Sequence, residues 1–281
     1  MIDSWLTGST PEPRAHLYHY TDTRGVLAIL KSSCFRLGPL AKLNDPRESH
    51  DGLVDVLANS VTKQSPGPDE HDLGPIRTQL ENFFRASGRI GCFTLDRNPA
   101  TEAIAESSNY HLGWARARMW DQYGKKHAGA CLIFNREMFA TQLDRDFPRG
   151  EWDNAHREVT YMDVTLQTQF DDSMINPEGF AGMLRTMRVQ GQTSQVLYFI
   201  KNRDWESENE YRFLVFAGSE NASKTHQTKG VSIANNLEAV VLGEAFPSSQ
   251  ISQLKKRVAH HNLPILRCTW VRGAPLLREE L

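Results

Sequence analysis

Residues 205–216, WESENEYRFLVF, set Glu206, Glu208 and Glu210 at alternate positions directly ahead of an apolar run that has to be buried. The run reads as a strand over 210–216, and residues two apart on a strand share a face. The alternation predicts Glu208, Glu210 and Arg212 on one face and Tyr211, Phe213 and Val215 on the other. Glu206 joins the acidic face only if the strand begins early. Like charges side by side cost free energy unless a substrate, a cation or water uses them. Two readings follow: a catalytic carboxylate with a helper, or a strand end whose acids pair with Arg212 or Lys201.

The rest of the chain supplies a core for that strand. HLYHY (16–20), RIGCFTL (89–95), GACLIF (129–134), REVTYMDV (157–164), VSI (231–233), AVVLGEAF (239–246) and ILRCTWVR (265–272) read as further strands. Helical patterns cover 48–61, 72–86, 114–124, REMFATQL, about 177–201 and SQISQLKKRVAHHN. Thr21 or Asp22 offers an N-cap to a helix carrying Val26, Leu27, Ile29 and Leu30. Asn-Asp-Pro at 44–46 signals a turn, with Asp45 as N-cap, and 165–177 is polar and loop-like. The order lacks regular βαβ alternation, so it predicts an α+β domain with short antiparallel strands.

Composition narrows the functions. A net charge of −2 shows no overall polyanion-binding surface, although a local basic groove can sit inside a neutral total. Cys34, Cys92, Cys131 and Cys268 are scattered without a CxxC pair, and the apolar contexts of Cys92, Cys131 and Cys268 predict small buried hydrophobes in a reducing compartment. No run of 18 or more apolar residues occurs and no basic-then-apolar leader opens the chain, so a cytoplasmic protein without a membrane segment is expected. The histidines lack metal-ligand spacing; His260 and His261, being adjacent, point apart on a helix. Neither standard nucleotide loop is present, nor a GxSxG or HExxH motif.

Two other places carry candidate chemistry. His19 sits between Tyr18 and Tyr20 on the first strand, with Thr21 at its end. The helix that follows offers free backbone N–H groups to an anion or a ribose hydroxyl. Trp120 and Tyr123, three apart on a helix, are either core or a stacking platform for a flat ring.

The order of YHYT with its helix, LNDPRE, GCFTL, MWDQYGKKHAGACLIF, K-x-x-x-W-x-x-E-x-E-Y-R-F and VVLG resembles the bacterial domain-of-unknown-function family 2971 over about 16–246. Its first and last motifs are similar to those of the ADP-ribosyltransferase superfamily, particularly the DarT-like branch. That resemblance implies an ADP-ribosyltransferase-like split antiparallel β-sandwich with surrounding helices, as one domain over 1–281. It also implies NAD as substrate and a protein or nucleic-acid acceptor, or water. By the same resemblance, Glu210 is catalytic, Glu208 is its helper, and His19, Tyr20 and Thr21 belong to the first motif. Trp120 or Tyr123 packs on nicotinamide, and Arg212 is counted with these residues as NAD-binding. A toxin–antitoxin or phage-defence role is implied on the same basis. No Ser-Thr-Ser middle motif is evident. A nucleotide sensor without turnover, or a metal-dependent nuclease using Glu206, Glu208 or Glu210, are the competing expectations.

Overall fold

The computed structural model describes residues 15–49, 55–58, 78, 88–98, 109–149, 151–163, 167–170, 198–217 and 230–280. In chain order the strands are β1 His16–Thr21, β2 Cys34–Arg36, β3 Asp55–Ala58, β4 Gly88–Thr94, β5 Ala130–Asn135, β6 Trp152–Glu158, β7 Thr160–Tyr161 and β8 Gln167–Phe170. They continue with β9 Ile200–Lys201, β10 Glu210–Ala217, β11 Gly230–Ser232, β12 Leu237–Leu242, β13 Ile265–Val271 and β14 Ala274–Glu279. The α-helices are α1 Thr23–Ser32, α2 Pro46–Ser49, α3 Ala117–Gln122, α4 Arg136–Asp146 and α5 Ser248–Ala259.

Eight strands form one sheet in the order β14-β13-β12-β5-β1-β4-β10-β6. Every neighbour is antiparallel except β12 and β13. Strand alternation buries both faces. One face carries Leu17, Leu132, Phe134, Phe93, Phe213 and Val240 under α1, α4 and α5, which contribute Val26, Leu30, Phe139, Leu143, Leu254 and Val258. The other carries Tyr18, Tyr20, Ile133, Val241 and Leu266 under Trp114, Met119 and Trp120. The result is a mixed α+β architecture built on one large sheet, rather than the expected pair of small antiparallel sheets.

The sheet is unevenly knit. β1 pairs with β5 along its whole length, from His16 opposite Asn135 to Thr21 opposite Ala130. β4 pairs with β10 from Glu210 opposite Thr94 to Phe216 opposite Gly88. Between β1 and β4, however, the ladder is reduced to Tyr18 opposite Thr94. Beyond that pair the Cys92 carbonyl oxygen is met by a side chain, the His19 ring, whose Nδ1 lies 3.1 Å away. The seam between these strands is where a cleft opens.

Local chemistry explains most element ends. Asp22 caps α1, accepting a 2.7 Å hydrogen bond from the Gly25 backbone N–H, and Asn135 caps α4 by accepting from Met138. Three expectations are corrected. The helical pattern over 48–61 ends early, because Asp55–Ala58 is a strand paired with Gln167–Phe170, inside the stretch expected to be loop. The strand expected over 157–164 is the end of β6 and the short β7, with Val159 between them. The helix expected up to residue 201 is not helical at its end, since Ile200 and Lys201 pair with Thr160 and Tyr161; its course over 177–197 and the 72–86 pattern except Thr78 lie outside the described residues. β14, unforeseen, closes a hairpin through Arg272 and Gly273, both in the left-handed region (φ 51° and 82°) that a tight two-residue hairpin needs.

Gly129 precedes β5 where the chain passes β1: a Cβ there would lie 2.1 Å from the Thr21 carbonyl oxygen. Because the obstacle is backbone, Gly129→Ala should cost about 1–3 kcal/mol of stability. Urea unfolding of the variant tests the approach; a loss below about 0.5 kcal/mol would contradict it.

Candidate functional site

A cleft of about 270 Å³ lies at the seam, lined by residues of β1, β4 and β10 together with Lys42–Asn44, Met119, Tyr123, Lys201 and Glu208. His19 and Glu210 both face it, from strands on opposite sides of the seam. The volume lies just below the range of about 300–1,000 Å³ usual for ligand sites.

On β10, Tyr211, Phe213 and Val215 enter the core below the sheet while Glu210 and Arg212 share the opposite face, as the alternation predicts. Glu208 is a correction. It does not lie on the strand but closes a 3₁₀ segment, Arg203–Glu208, and the chain turns into β10 through Asn209 in the left-handed region (φ 47°). Glu206 is exposed and stays out of the cluster. The two acids meet nonetheless, because both reach Lys201: its Nζ donates to Glu208 Oε2 at 2.7 Å and to Glu210 Oε2 at 3.1 Å. Asn202 caps the 3₁₀ segment through Asp204 N–H, and the Trp205 ring lies 4.8 Å from Lys201 Nζ.

Glu210 is gripped more firmly than Glu208. Arg212 donates from Nε to Oε1 (2.7 Å) and from NH2 to Oε2 (2.9 Å). Arg212 is fully buried and also donates to Glu48 and to the Tyr198 carbonyl oxygen. Glu208 accepts from the Tyr123 hydroxyl at 2.7 Å. The Glu210 backbone N–H donates to the Tyr161 hydroxyl at 2.7 Å. Burial alone would raise the Glu210 pKa, but the Arg212 and Lys201 charges beside it win, bringing it down to about 2. Glu48, also buried, is shifted the other way: desolvation outweighs Arg212 and raises its pKa. Burial should lower the Lys201 pKa, yet Glu210 and Glu208 together raise it, so the amine stays an ammonium. Both acids therefore pair with Arg212 or Lys201, as the second reading of the sequence held, and they do so inside a cleft.

His19 packs edge-on against Phe35 with ring centroids 4.7 Å apart, and burial lowers its pKa from 6.5 to about 4. The ring is neutral at pH 7. Its Nδ1 faces a carbonyl, which only accepts, so Nδ1 carries the proton and Nε2 is left as an acceptor. His19 would thus receive a hydroxyl proton from a ligand, not donate one.

The other expected residues divide. Tyr123 lines the cleft. Trp120 does not: it is fully buried, donates to the Trp114 carbonyl oxygen at 2.8 Å and meets Tyr20 edge-on. Tyr20 borders the cleft, but its hydroxyl donates to the Gly113 carbonyl oxygen at 2.6 Å in the core. Thr21 is not among the lining residues, and the first turn of α1 already holds the Asp22 carboxylate. Cys92, expected as a buried hydrophobe, borders the cleft and hydrogen-bonds Glu210; all four cysteines are free thiols. Lys42–Asn44 and Thr94 also line the cleft, although the sequence offers Asn44 only as part of a turn and Thr94 only as a strand residue. Among the described residues no group of three or more His, Cys, Asp or Glu is placed to hold a metal ion. Nor is any helix among them long and apolar enough to cross a membrane.

Fold and cleft together define a mixed α+β protein with a buried acid–base cluster at a sheet seam. Over residues 119–213, from within α3 to the first half of strand β10, the chain is similar to a family described as a protein of unknown function (DUF2971). That span holds Tyr123, Lys201, Glu208, Glu210 and Arg212 but not His19, and is narrower than the 16–246 the quoted motifs suggest. No curated protein and no solved structure matches the chain significantly.

Two measurements test this geometry. Removing the guanidinium strands buried carboxylates, so Arg212→Met should lower the unfolding free energy by about 3–5 kcal/mol; a loss below about 1 kcal/mol in urea denaturation would mean the cluster is not buried as described. The second follows from His19. Its folded pKa lies below the unfolded value, so the unfolded chain binds the extra proton between pH 6.5 and about 4, and stability falls as pH drops through that window. The stability advantage of wild type over His19→Gln should shrink from pH 7 to pH 4.5; an advantage independent of pH would show that His19 is not held neutral.

Proposed function

We propose that the seam cleft is an NAD site and that the protein transfers ADP-ribose from NAD to a macromolecule, or to water. The observation that carries the reading is the placing of His19 and of a Glu210 held ionised on opposite sides of one cleft at the point where the sheet splits. An ADP-ribosyltransferase-like fold belongs to the same proposal; what supports it is the thinly paired β1–β4 seam within the one continuous sheet. The cleft volume suits the nicotinamide and its ribose, with the rest of the dinucleotide in the mouth beside Lys42. A ring lying flat there would have Tyr123, Met119 and Phe93 as neighbours.

The chemistry follows from the charges. Breaking the C1′–N1 bond sends its electron pair to the nicotinamide ring and leaves an oxocarbenium-like sugar, as in glycoside cleavage. A carboxylate fixed in a dry site stabilises that cation without reorganising. Glu210 fills that part, with Arg212 and Lys201 keeping it ionised, and a ribose hydroxyl would share its acceptor positions with Cys92. His19 Nε2 accepts from another hydroxyl. The nucleophile adds to C1′ and gives its proton to Glu208, which has acceptor positions beyond those used by Tyr123 and Lys201. An effector role in toxin–antitoxin or phage defence is the setting such an activity would serve.

The firm hold of Arg212 and Lys201 on Glu210 favours one second reading, a module that binds the nucleotide without turnover. Incubation with nicotinamide-labelled NAD separates the two. Nicotinamide release that falls at least a hundredfold in Glu210→Gln supports the enzyme, whereas saturable NAD binding without release assigns the sensor. Equal release by wild type and variant, or no NAD binding, overturns the proposal.

A further inference from the structure

The stretch Leu37–Glu48 does more than border the cleft. At its start Gly38 and Ile90 exchange backbone hydrogen bonds of 2.8 and 2.7 Å, fixing it to β4. A 3₁₀ turn, Leu40–Lys42, then carries Lys42, Leu43 and Asn44 along the cleft. Two contacts follow within five residues. The exposed Asn44 side chain lies beside Tyr123 at the cleft, and the Tyr123 hydroxyl donates to Glu208. Glu48, 1% exposed, accepts from Arg212, the residue that grips Glu210 with two bonds. The path Asn44, Tyr123, Glu208, Lys201, Glu210, Arg212, Glu48 therefore returns to the segment it left. Such a ring fixes each acid from two sides, by Lys201 in the middle and by the segment at the ends. Glu48 shares Arg212 with Glu210, so removing it changes how the guanidinium presents Glu210 without touching the cleft.

We propose that Gly38–Glu48 is a positioning strap for the acid pair, with Asn44 and Glu48 as positioning residues that set Glu208 through Tyr123 and Glu210 through Arg212. In its kinetic form the inference rests on the NAD reading. In its structural form it stands on the ring alone.

The full-length protein and three variants test it. Misplacing a reacting group by a fraction of an ångström to an ångström costs up to about a hundredfold in rate. Glu48→Gln and Asn44→Ala should therefore lower kcat for nicotinamide release roughly ten- to a hundredfold, with KM within about twofold, and Glu48→Asp should recover part of the loss. Asn44 is exposed, so its variant keeps the test alive if Glu48→Gln fails to fold. In parallel, urea unfolding of Glu48→Gln, Glu210→Gln and the double variant reads the link through Arg212. The double variant should lose measurably less stability than the sum of the singles. Wild-type kcat in both Asn44→Ala and Glu48→Gln overturns the strap while leaving the NAD reading intact. If wild type releases no nicotinamide, the NAD reading falls instead. The strap is then decided by the unfolding cycle, where strictly additive losses overturn it.

Discussion

A guanidinium with no access to water sits between two carboxylates on the face of a central strand, and much of the molecule is arranged to tolerate it. Moving a charge out of water costs several kcal/mol, recovered only when partners meet it with good geometry. Arg212 has its partners in Glu210, Glu48 and the Tyr198 carbonyl oxygen. Those come from three separate parts of the chain, which must therefore converge. Lys201 repeats the pattern on a smaller scale, joining β9 to the 3₁₀ segment and to β10. With three carboxylates and two cations among the described residues, the cluster there carries one more acid than base. Burial raises the pKa of Glu48 despite the Arg212 charge beside it.

The surplus sits beside the weakest line in the sheet. β1 belongs with β5 and β12, and β4 with β10 and β6; a single register pair joins the two groups. A seam in a sheet leaves backbone groups to be satisfied by other means. His19 does this for Cys92 and keeps one nitrogen in reserve. The cleft is thus a consequence of incomplete pairing, and the residues that repair the pairing become the residues that face a ligand. Phe35 and Phe93, stacked on each other, hold the floor of this region to the core.

The strands of the large sheet were legible because their cores are continuous or alternating: GACLIF, EYRFLVF and ILRCTWV each appear within one or two residues of their expected limits. Short strands of four residues were not. Asp55–Ala58 and Gln167–Phe170 exist by pairing with each other across more than a hundred residues, a constraint that local periodicity does not contain. Glu210, His19 and Tyr123, which line the cleft, and Arg212 behind it were candidates by residue type and by the family resemblance. Glu208 was identified for the wrong geometric reason, because the left-handed Asn209 removes it from the strand that the alternation assigned to it. Glu48 stands in the first turn of α2, where an acid is favoured by the helix dipole; only the tertiary partner Arg212 gives it another meaning. Trp120 shows the converse, a residue whose chemistry invited a ligand role and whose indole N–H is committed to Trp114.

Fold and site are hard to separate here. The cluster that would perform chemistry is also what draws Glu48, Lys201 and β10 together, so a substitution at Arg212 or Glu210 acts on both. Charge-neutral changes of equal shape, such as Glu to Gln, leave the packing in place and remove only the electrostatic part. They distinguish a carboxylate needed for a reaction from one needed for folding, because the second loss appears in unfolding and the first does not. Glu208 is the informative comparison. It has a single cation, Lys201, and one neutral donor, Tyr123, whereas Glu210 has two cations. Its removal should disturb the fold less than that of Glu210, which makes it the member of the pair whose chemical role can be read most directly.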